Sequence, residues 1–491
     1  MIKEKNILIF FEKKSLKMLL LGFSAGLPIL LVFSTLSVWL VKAGVSRSTV
    51  TLFSWAGFAY AFKYLWSPLV DNLKLPLSKK FGHRKSWLLF SQIMIVVSLI
   101  FTALTDPSQT LVFTAIGITF VAFSSATQDI LIDAFRIESA PQKFQGVLSS
   151  MYIAGYRIAM LTSGAGSLWL ASYLGAEIYK VEVWQIVYFC MSSLMLIGIL
   201  TTIFSTEPKI KRVKLINNNY HLKFFIVFIL AIIGFIFLYQ VINNPFDEKQ
   251  ILIKFLFASF RILLCFILAG TIVSTFILAG FISMKDTSNL YIKPITNFTQ
   301  KYGKFAVAIL LLIGLYRIAD VVMGVVANVF YLEKGFDINE IATYSKFFGV
   351  FATILGGFLG GFFALRFGTM KALFLGALIA AASNLLFAWL AVAPISIKSL
   401  IIVITADNIS SGFAGAAFVV YLSGLTSVKF TATQYALFSS IMLFLPKLIA
   451  GYSGSWVDIM GYANFFTLTA ILGIPVLLMI IWISKVAPIK N

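Results

Sequence analysis

The 491-residue chain is 60% hydrophobic and only 12% charged, with a mean hydropathy of +0.95. A soluble protein of this length carries about twice that charged fraction, so the composition excludes a soluble globular fold. It predicts an all-α polytopic membrane protein. A net charge of +20 can indicate nucleic-acid binding, but the basic residues concentrate in alternate loops, as they do in membrane proteins, so no nucleic-acid partner is expected.

Fourteen apolar segments are long enough to cross a bilayer as helices. They are predicted at 18–41, 49–70, 86–104, 110–133, 146–172, 184–204, 222–240, 255–282, 305–329, 341–365, 372–393, 398–427, 431–456 and 463–484. The first is too long for the core of a signal peptide and lacks a small-residue cleavage site, which predicts a retained span.

The distribution of basic residues predicts the orientation of these spans. An even number of crossings places both termini on one side, and the loops on that side carry most of the 39 lysines and arginines. The opposite loops carry only seven. Because basic loops stay in the cytoplasm, both termini are predicted to be cytoplasmic.

A short internal repeat divides the chain. "FGHRKSWLL" at 81–89 follows the second span and "FGTMKALFL" at 367–375 follows the tenth, each before the third helix of a six-helix set. Chance is the alternative, since Gly and Lys are common in such turns. The repeat predicts two six-helix bundles related as parallel repeats, at 1–208 and 301–491, with a linker at 209–300 that contains two extra spans.

Two aspartates stand on one face of the fourth span. Asp129 and Asp133 are four residues apart in "SSATQDILIDAFRIESAP", so their side chains lie on the same side of the helix. Two neighbouring carboxylates cannot both ionise freely, and one that binds and releases a proton is suited to proton coupling. The structural alternative is that both aspartates lie at the membrane–water interface and form ion pairs with Lys63 or Arg136.

Cationic residues also occur at membrane depth, where each costs at least about 2.5 kcal/mol. Arg157, near the middle of the fifth span, either pairs with Asp129 or faces an aqueous cavity and binds an anion. Lys63 lies nearer the end of its span. Its ammonium either extends to the membrane–water interface or takes part in the binding site. Arg317 and Asp320 stand three apart in the ninth span, as a local ion pair that is also suited to gating.

Further polar residues within the spans are candidates for substrate binding. Lys346, Asp407 and Asn408 are weaker candidates because they lie in the outer parts of their spans. Lys447 follows a mid-helix proline, and such a bend lines a cavity or packs on a neighbouring helix. For Gln128 and Gln434 the alternative role is a helix-to-helix hydrogen bond.

Several chemistries are not supported by the sequence. Both histidines, His83 and His221, fall in loops, and Cys190 and Cys265 fall in apolar runs, so neither a metal site nor a disulfide is predicted. No P-loop occurs. An enzyme is therefore not expected, and no cofactor is predicted.

Six sequence blocks resemble the AmpG muropeptide permeases, which are bacterial inner-membrane members of the major facilitator superfamily. The blocks are "LGFSAGLP", "FKYLWSPLVD", "SATQDILIDAF", "GYRIAML", "LYRIAD" and "TATQYALFSS", and they occur in both six-helix halves. The resemblance implies a major facilitator fold and proton-driven import of anhydromuropeptides for peptidoglycan recycling. It implies proton-coupling roles for Asp129, Asp133 and Asp320.

The implied substrate fits residues found from the sequence. A muropeptide carries carboxylates that Lys63, Arg157 and Arg317 can receive. It also carries sugars, against which the aromatic side chains of Tyr60, Trp66 and Tyr156 can lie.

The superfamily pattern further implies gating roles for loop residues Gly82, Arg84, Arg366 and Gly368. In the second of these loops, Leu365 stands where that pattern has an acid.

These features predict alternating access by rocking of the two bundles about a midplane site, in a protein that functions as a monomer. Transport or exchange of another anion, such as acetyl-CoA, is one alternative. A membrane scaffold without transport is another, and it predicts that neutralising Asp129 and Arg317 leaves cellular function intact.

Overall fold

A computed structural model describes residues 12–139, 145–208, 218–243, 245–246, 251–425 and 431–486. Within these ranges the chain is helical and contains no β-strand. The predicted all-α class is therefore confirmed. The boundary predicted at residue 209 lies outside the described residues.

The helices form two bundles and an inserted pair. The first bundle consists of α1 (Lys13–Val32 and Ser34–Lys42), α2 (Arg47–Leu52, Phe53–Gly57 and Phe58–Asn72), α3 (His83–Ala103), α4 (Leu111–Ser139), α5 (Gln145–Leu161, Thr162–Gly166 and Ser167–Tyr173) and α6 (Val181–Leu194 and Leu196–Ile203). The inserted pair is α7 (Asn218–Val241) and α8 (Ile251–Leu278).

The second bundle has the same number of helices in its described part. They are α9 (Ala306–Leu315 and Ile318–Lys334), α10 (Ile338–Glu340, Ile341–Phe348 and Gly349–Phe367), α11 (Thr369–Val392), α12 (Ile397–Leu425), α13 (Thr431–Ala450) and α14 (Ser453–Ile471 and Gly473–Val486).

Eleven helices of the described chain are long and apolar enough to cross a membrane. The other three predicted spans correspond to α2, α5 and α13, of which α13 contains a shorter apolar helix at Leu437–Ala450. A polytopic helical membrane protein is thus confirmed, while the exact number of fourteen crossings stays a prediction.

Arg47, at the start of α2, forms ion pairs with Glu333 at the end of α9 and with Asp458 near the start of α14. The N-terminal end of α1 and the C-terminal end of α14 therefore both lie on the side away from Arg47, which we call the terminal face. On this face the Lys17 ammonium donates to the carbonyl of Phe204, and Phe305 packs against Trp482 with ring centroids 6.4 Å apart. The opposite face, where Arg47 lies, is called the distal face. The location of the terminal face in the cytoplasm remains a prediction from the basic loops.

The two sequence repeats adopt the same backbone conformation. Gly82 (φ 90°, ψ 171°) and Gly368 (φ 91°, ψ 155°) each stand immediately before a helix, α3 and α11 respectively. Residues with a side chain rarely adopt these positive φ angles, which explains why glycine occurs at both positions. The correspondence supports a common origin for the two turns.

Small residues allow close approach of helices within each bundle. A Cβ atom added to Gly22 would lie 2.1 Å from the backbone oxygen of Tyr152, and one added to Gly356 would lie 2.1 Å from that of Ile409. Glycine at these two positions therefore permits the close contact between the helices. Close packing of α1 on α5, and of α10 on α12, fixes the helices that carry Tyr156 and Lys346.

The inserted pair packs on the outside of both bundles. Phe266 of α8 lies 5.2 Å from Phe62 of α2 and 5.7 Å from Phe444 of α13, measured between ring centroids. Phe228 of α7 packs against Trp66, at 6.3 Å. The pair thus covers the outer side of the contact between α2 and α13.

Candidate functional site

The first helix of each bundle is interrupted part-way along its length. In α1 the break is at Phe33, with φ −113° and ψ −72°. In α9 it is at Tyr316 and Arg317, with φ −98° and ψ 13° at Arg317. Because Asn328 of α9 contacts Ser34 and Ser37 of α1, the break in α9 lies more than two helical turns from the level of the break in α1.

A cavity of about 620 Å³ lies between the bundles, and its wall includes Phe33 and Arg317 from the two breaks. Its walls come from α1, α2, α4 and α5 of the first bundle and from α9, α10 and α13 of the second. The volume is in the range of small-molecule sites in proteins. Because both bundles form it, rocking of one bundle against the other would change its access.

Seven residues predicted from the sequence line the cavity. They are Tyr60, Lys63, Asp129, Tyr156, Arg317, Lys346 and Lys447.

Asp129 and Lys63 face each other across the first-bundle wall. The Lys63 Nζ and an Asp129 carboxylate oxygen are 4.0 Å apart, and the other oxygen of Asp129 has no hydrogen-bond partner among the described residues. A buried carboxylate with an unsatisfied oxygen is costly unless it is protonated or approached by a further donor. The arrangement is therefore suited to binding a proton.

Arg317 and Asp320 form the local ion pair predicted for the ninth span. The Ser411 hydroxyl of α12 donates to Asp320 at 3.2 Å and also receives a hydrogen bond from Arg317 at 3.0 Å. Asp320 and Asp407 lie outside the cavity wall as described, and Oδ1 of Asp407 has no hydrogen-bond partner within the described part of the chain. Arg317 alone of this group reaches the cavity.

Lys346 takes part in a polar connection between the bundles. Its ammonium donates to the side-chain oxygen of Asn328 at 2.6 Å, and the amide nitrogen of Asn328 donates to the hydroxyls of Ser34 at 3.2 Å and Ser37 at 3.0 Å. Lys346 lies in the π-helical segment Ile341–Phe348, an irregularity often found at functional sites. Sequence reasoning missed Asn328, although an amide within the apolar run "VVMGVVANVF" was an available signal.

Other predicted residues are placed away from the cavity wall. Asp133 pairs with Arg136 at 3.3 Å and is half exposed. The Gln128 amide donates to the backbone of Ser24 at 2.9 Å, and its oxygen accepts from the Ser24 hydroxyl. The Trp66 indole donates to Thr127. Gln128 and Trp66 thus connect helices of the first bundle.

Arg157 does not lie beside Asp129. The nearest polar contact described for it is between Nη1 and the Met160 sulfur, at 3.8 Å. Tyr156 occupies the cavity-facing position of α5, and the next residue of a helix points about 100° away. Pairing with Asp129, one of the two alternatives for Arg157, is thus absent in the described residues, and Lys63 is the cation beside Asp129.

The remaining binding candidates lie in helix contacts. Asn408 accepts from the Thr353 hydroxyl at 2.9 Å, within the second bundle. The Gln434 amide donates to Asn297 at 3.3 Å.

The candidate gating residues lie at the terminal face. The Arg84 guanidinium binds both oxygens of Glu138, and its backbone N–H donates to Glu207 at 2.9 Å. Arg366 lies over the ring of Phe367, at 5.6 Å from the centroid. Gly82 and Gly368 shape the two turns, as described above.

The cavity is closed toward the distal face by contacts between the bundles. The Trp169 indole donates to the Thr343 hydroxyl at 3.1 Å, and Thr51 donates to the carbonyl of Gly451 at 3.1 Å. Arg47 of α2 bonds to Glu333 of α9. These contacts join the distal halves of the bundles, so the described conformation is closed on that side.

Comparisons with known proteins agree with this architecture. A transporter named AmpG 4 from Rickettsia conorii (strain ATCC VR-613 / Malish 7) is 30% identical over 476 residues, 97% of this chain and 98% of that protein. The chain belongs to the AmpG family of transporters. The "Anhydromuropeptide permease" of Escherichia coli (strain K12) is 27% identical over 475 residues, 96% of this chain and 80% of the relative.

A family profile and a solved structure add to this result. The profile described as "Acetyl-coenzyme A transporter 1" matches residues 16–203. A crystal structure of a POT family transporter in complex with a thioalcohol-conjugated peptide superposes with a TM-score of 0.63 at 13% identity, covering 98% of this chain and 96% of that one. The likeness confirms the predicted major facilitator fold for this AmpG-family protein.

Proposed function

We propose that the protein imports anhydromuropeptides across the bacterial inner membrane, coupled to proton entry, for peptidoglycan recycling. The observation that carries the proposal is the cavity between the bundles, in which Asp129 faces Lys63 and further cations stand opposite. Membership in the AmpG family supports transport, and the name of the E. coli relative supports the substrate.

The cavity offers groups of the kinds that such a substrate needs. Lys63, Arg317, Lys346 and Lys447 are four cationic side chains that can receive the carboxylates of the peptide. Tyr60 and Tyr156 supply aromatic surface for the sugars, while Trp66, Gln128, Arg157, Asp407, Asn408 and Gln434 lie outside the described wall and receive no direct contact in this proposal.

Asp129 is the proposed proton-binding residue. Its neutralisation by a proton from the distal side would release Lys63 to bind a carboxylate of the substrate, which links proton binding to substrate binding. Asp133, nearer the terminal face, and Asp320, paired with Arg317, would adjust this step rather than carry the proton.

Transport would proceed by alternating access, with the bundles at 1–208 and 301–491 moving as units and the protein acting as a monomer. The distal contacts of Arg47 would open for substrate entry. The terminal-face turns of Gly82, Arg84, Arg366 and Gly368 would rearrange for release. The linker at 209–300, with its inserted pair, would cover the contact between α2 and α13 during this motion.

The test is uptake of radiolabelled anhydromuropeptide into proteoliposomes, with and without an imposed inward proton gradient. Accumulation that the gradient stimulates would support the proposal. Uptake that is unchanged by the proton gradient and requires substrate inside the vesicles would contradict proton coupling and indicate exchange. If the folded protein takes up no anhydromuropeptide, the proposed substrate is wrong.

Transport of acetyl-CoA is a second candidate, favoured by the family profile over residues 16–203. The excess of cations in the cavity also suits the phosphates of coenzyme A. The same proteoliposomes tested with labelled acetyl-CoA distinguish the two substrates.

A further inference from the structure

Lys447 differs from the other cationic residues of the cavity. Lys63, Arg317 and Lys346 each have an oxygen partner in the described part of the chain. The ammonium of Lys447 instead lies 4.1 Å from the ring centroid of Phe33, and no hydrogen bond or ion pair joins it to another described residue. A cation–π contact replaces only part of the lost hydration, so this ammonium still has unsatisfied donors.

The Lys447 side chain extends from the second bundle to the first. A Cβ atom added to Gly57 of α2 would lie 3.0 Å from Lys447 Cε and 3.2 Å from its Cδ. The absence of a side chain at Gly57 therefore makes room for the lysine. Both residues line the cavity, at the place where α13 approaches α2.

A second polar group without a hydrogen-bond partner in the described chain, the Ser54 hydroxyl, lies on the same side of α2 as Gly57. Ser54 and Gly57 both belong to the 3-10 segment Phe53–Gly57, in which side chains three residues apart are eclipsed. Ser54 thus projects on the side of α2 that Lys447 contacts. Ser54 lines the cavity, and its buried side-chain oxygen has no hydrogen-bond partner in the described ranges.

We propose that Lys447 and Ser54 form a binding site for one carboxylate of the substrate, held between the two bundles. The ammonium donates to one carboxylate oxygen and the Ser54 hydroxyl to the other, which satisfies both groups at once. This inference rests on the proposed function for the identity of the ligand. It adds a specific subsite and a reason for selecting acidic over neutral peptides.

The site also explains how an anion would act on conformation. Its two donors belong to different bundles, so a carboxylate held by both favours the conformation in which α2 and α13 are close. A ligand shifts an equilibrium only by its different affinities for the two states. The carboxylate at Lys447 supplies such a difference.

The experiment measures binding to the purified full-length chain by calorimetry. The two probes are a GlcNAc-anhydromuramyl tripeptide and the same compound with its carboxylates amidated. We expect Lys447→Gln to weaken binding of the acidic probe roughly tenfold or more, as loss of a charge-assisted hydrogen bond does, and to leave the amidated probe unchanged. Ser54→Ala should weaken the acidic probe by roughly threefold.

The control is Lys398→Gln, which removes the same charge at an exposed position outside the cavity, and should change neither affinity. Thermal unfolding of each variant shows whether it is folded. Equal weakening of both probes by Lys447→Gln, or no weakening, would overturn the carboxylate site.

Failure of the proposed substrate is distinguishable from failure of the site. If the unaltered protein binds neither muropeptide probe, the proposed function fails, and acetyl-CoA becomes the probe. Loss of acetyl-CoA binding in Lys447→Gln would then support an oxyanion site of the same composition. Unchanged binding of acetyl-CoA, or none by the unaltered protein, would overturn it.

Discussion

The guanidinium of Arg47 donates hydrogen bonds to both carboxylate oxygens of Glu333, and this pair joins the first bundle to the second at the distal face. Arg47 also bonds to Asp458, and the Tyr462 hydroxyl donates to Glu333 at 2.8 Å. Burial opposes the charge of Arg47, but its acidic neighbours and Tyr462 outweigh burial and raise its pKa above the ordinary value. The guanidinium therefore stays charged, and the pair must separate physically for the distal face to open.

Glu333→Gln is expected to open the distal face more often. The change removes the charge of the acceptor but keeps its shape, so the cross-bundle contact weakens. Because the pair is partly exposed and solvent screens it, we expect a rise in distal access of about two- to fivefold. The measurement is the labelling rate of Ser37→Cys by a membrane-impermeant thiol reagent added on the distal side.

The matched control for this experiment is Lys42→Gln. Lys42 pairs with Glu177 at 2.9 Å, on the same face but within the first bundle. Lys42→Gln should leave the rate of Ser37→Cys labelling close to that of the parent protein. An equal rise in both variants would show that the loss of any distal ion pair loosens the structure, and that Arg47 and Glu333 do not form a gate.

Asp129→Asn is expected to abolish gradient-driven accumulation while retaining exchange. Asp129 is the only carboxylate residue on the described cavity wall, and an amide cannot bind and release the proton. Uptake in proteoliposomes with a proton gradient, and counterflow without one, are the two measurements. If Asp129→Asn still accumulates substrate against its concentration gradient, Asp129 does not couple transport to proton entry.

Asp133→Asn provides the comparison on the same helix. Asp133 is half exposed and pairs with Arg136, which places it away from the cavity wall. We expect accumulation to fall by no more than about fivefold, since an exposed ion pair of this kind is worth about 0–1 kcal/mol. A loss as complete as that of Asp129→Asn would indicate that the two acids function as one unit.

Gly360→Ala is expected to destabilise the second bundle by about 1–3 kcal/mol, as overpacking does. The new Cβ would lie 2.4 Å from the backbone oxygen of Phe413, which belongs to a rigid helix. Its neighbour Gly361 is the control, because nothing lies within 4 Å of a Cβ added there. Thermal unfolding should show a lower melting temperature for Gly360→Ala only, and equal melting temperatures for both variants would contradict this account of the packing.

Tyr179→Phe is expected to lower stability at neutral pH. Burial tends to raise the pKa of Asp106, but hydrogen bonds from the Tyr179 hydroxyl and from Ser108 outweigh it and leave the pKa below its ordinary value. A depressed pKa stabilises the fold above the unfolded value of about 3.9, and this stability is lost as the pH falls through the folded value. The variant raises the pKa of Asp106 and removes part of that stability.

The difference in melting temperature between parent and Tyr179→Phe should therefore narrow as the pH falls from 7 to about 3. Tyr173→Phe is the control, since Tyr173 is 88% exposed, and it should change nothing. A difference that stays constant with pH would show that Tyr179 acts by packing alone.

The sequence alone determined the class of fold and the depth of the ionised residues. Apolar runs long enough to span a bilayer must form helices, because lipid offers no hydrogen bonds to the backbone. The same constraint makes Lys63, Asp129 and Arg317 conspicuous in the sequence, and all three line the cavity. Glycine at positions 82 and 368 likewise has a local cause, since the turn before each helix has a positive φ angle.

Only the tertiary structure decided which of these residues meet. The sequence offered both Arg157 and Lys63 as partners of Asp129. The choice depends on which face of α5 turns toward α4, which the spacing along one helix does not specify. The role of Asn328 in connecting the bundles follows only from its contacts with Ser34 and Lys346. Helical periodicity determines which residues share a face, but the rotation of each helix follows from close packing against its neighbours, and that packing is a property of the whole bundle.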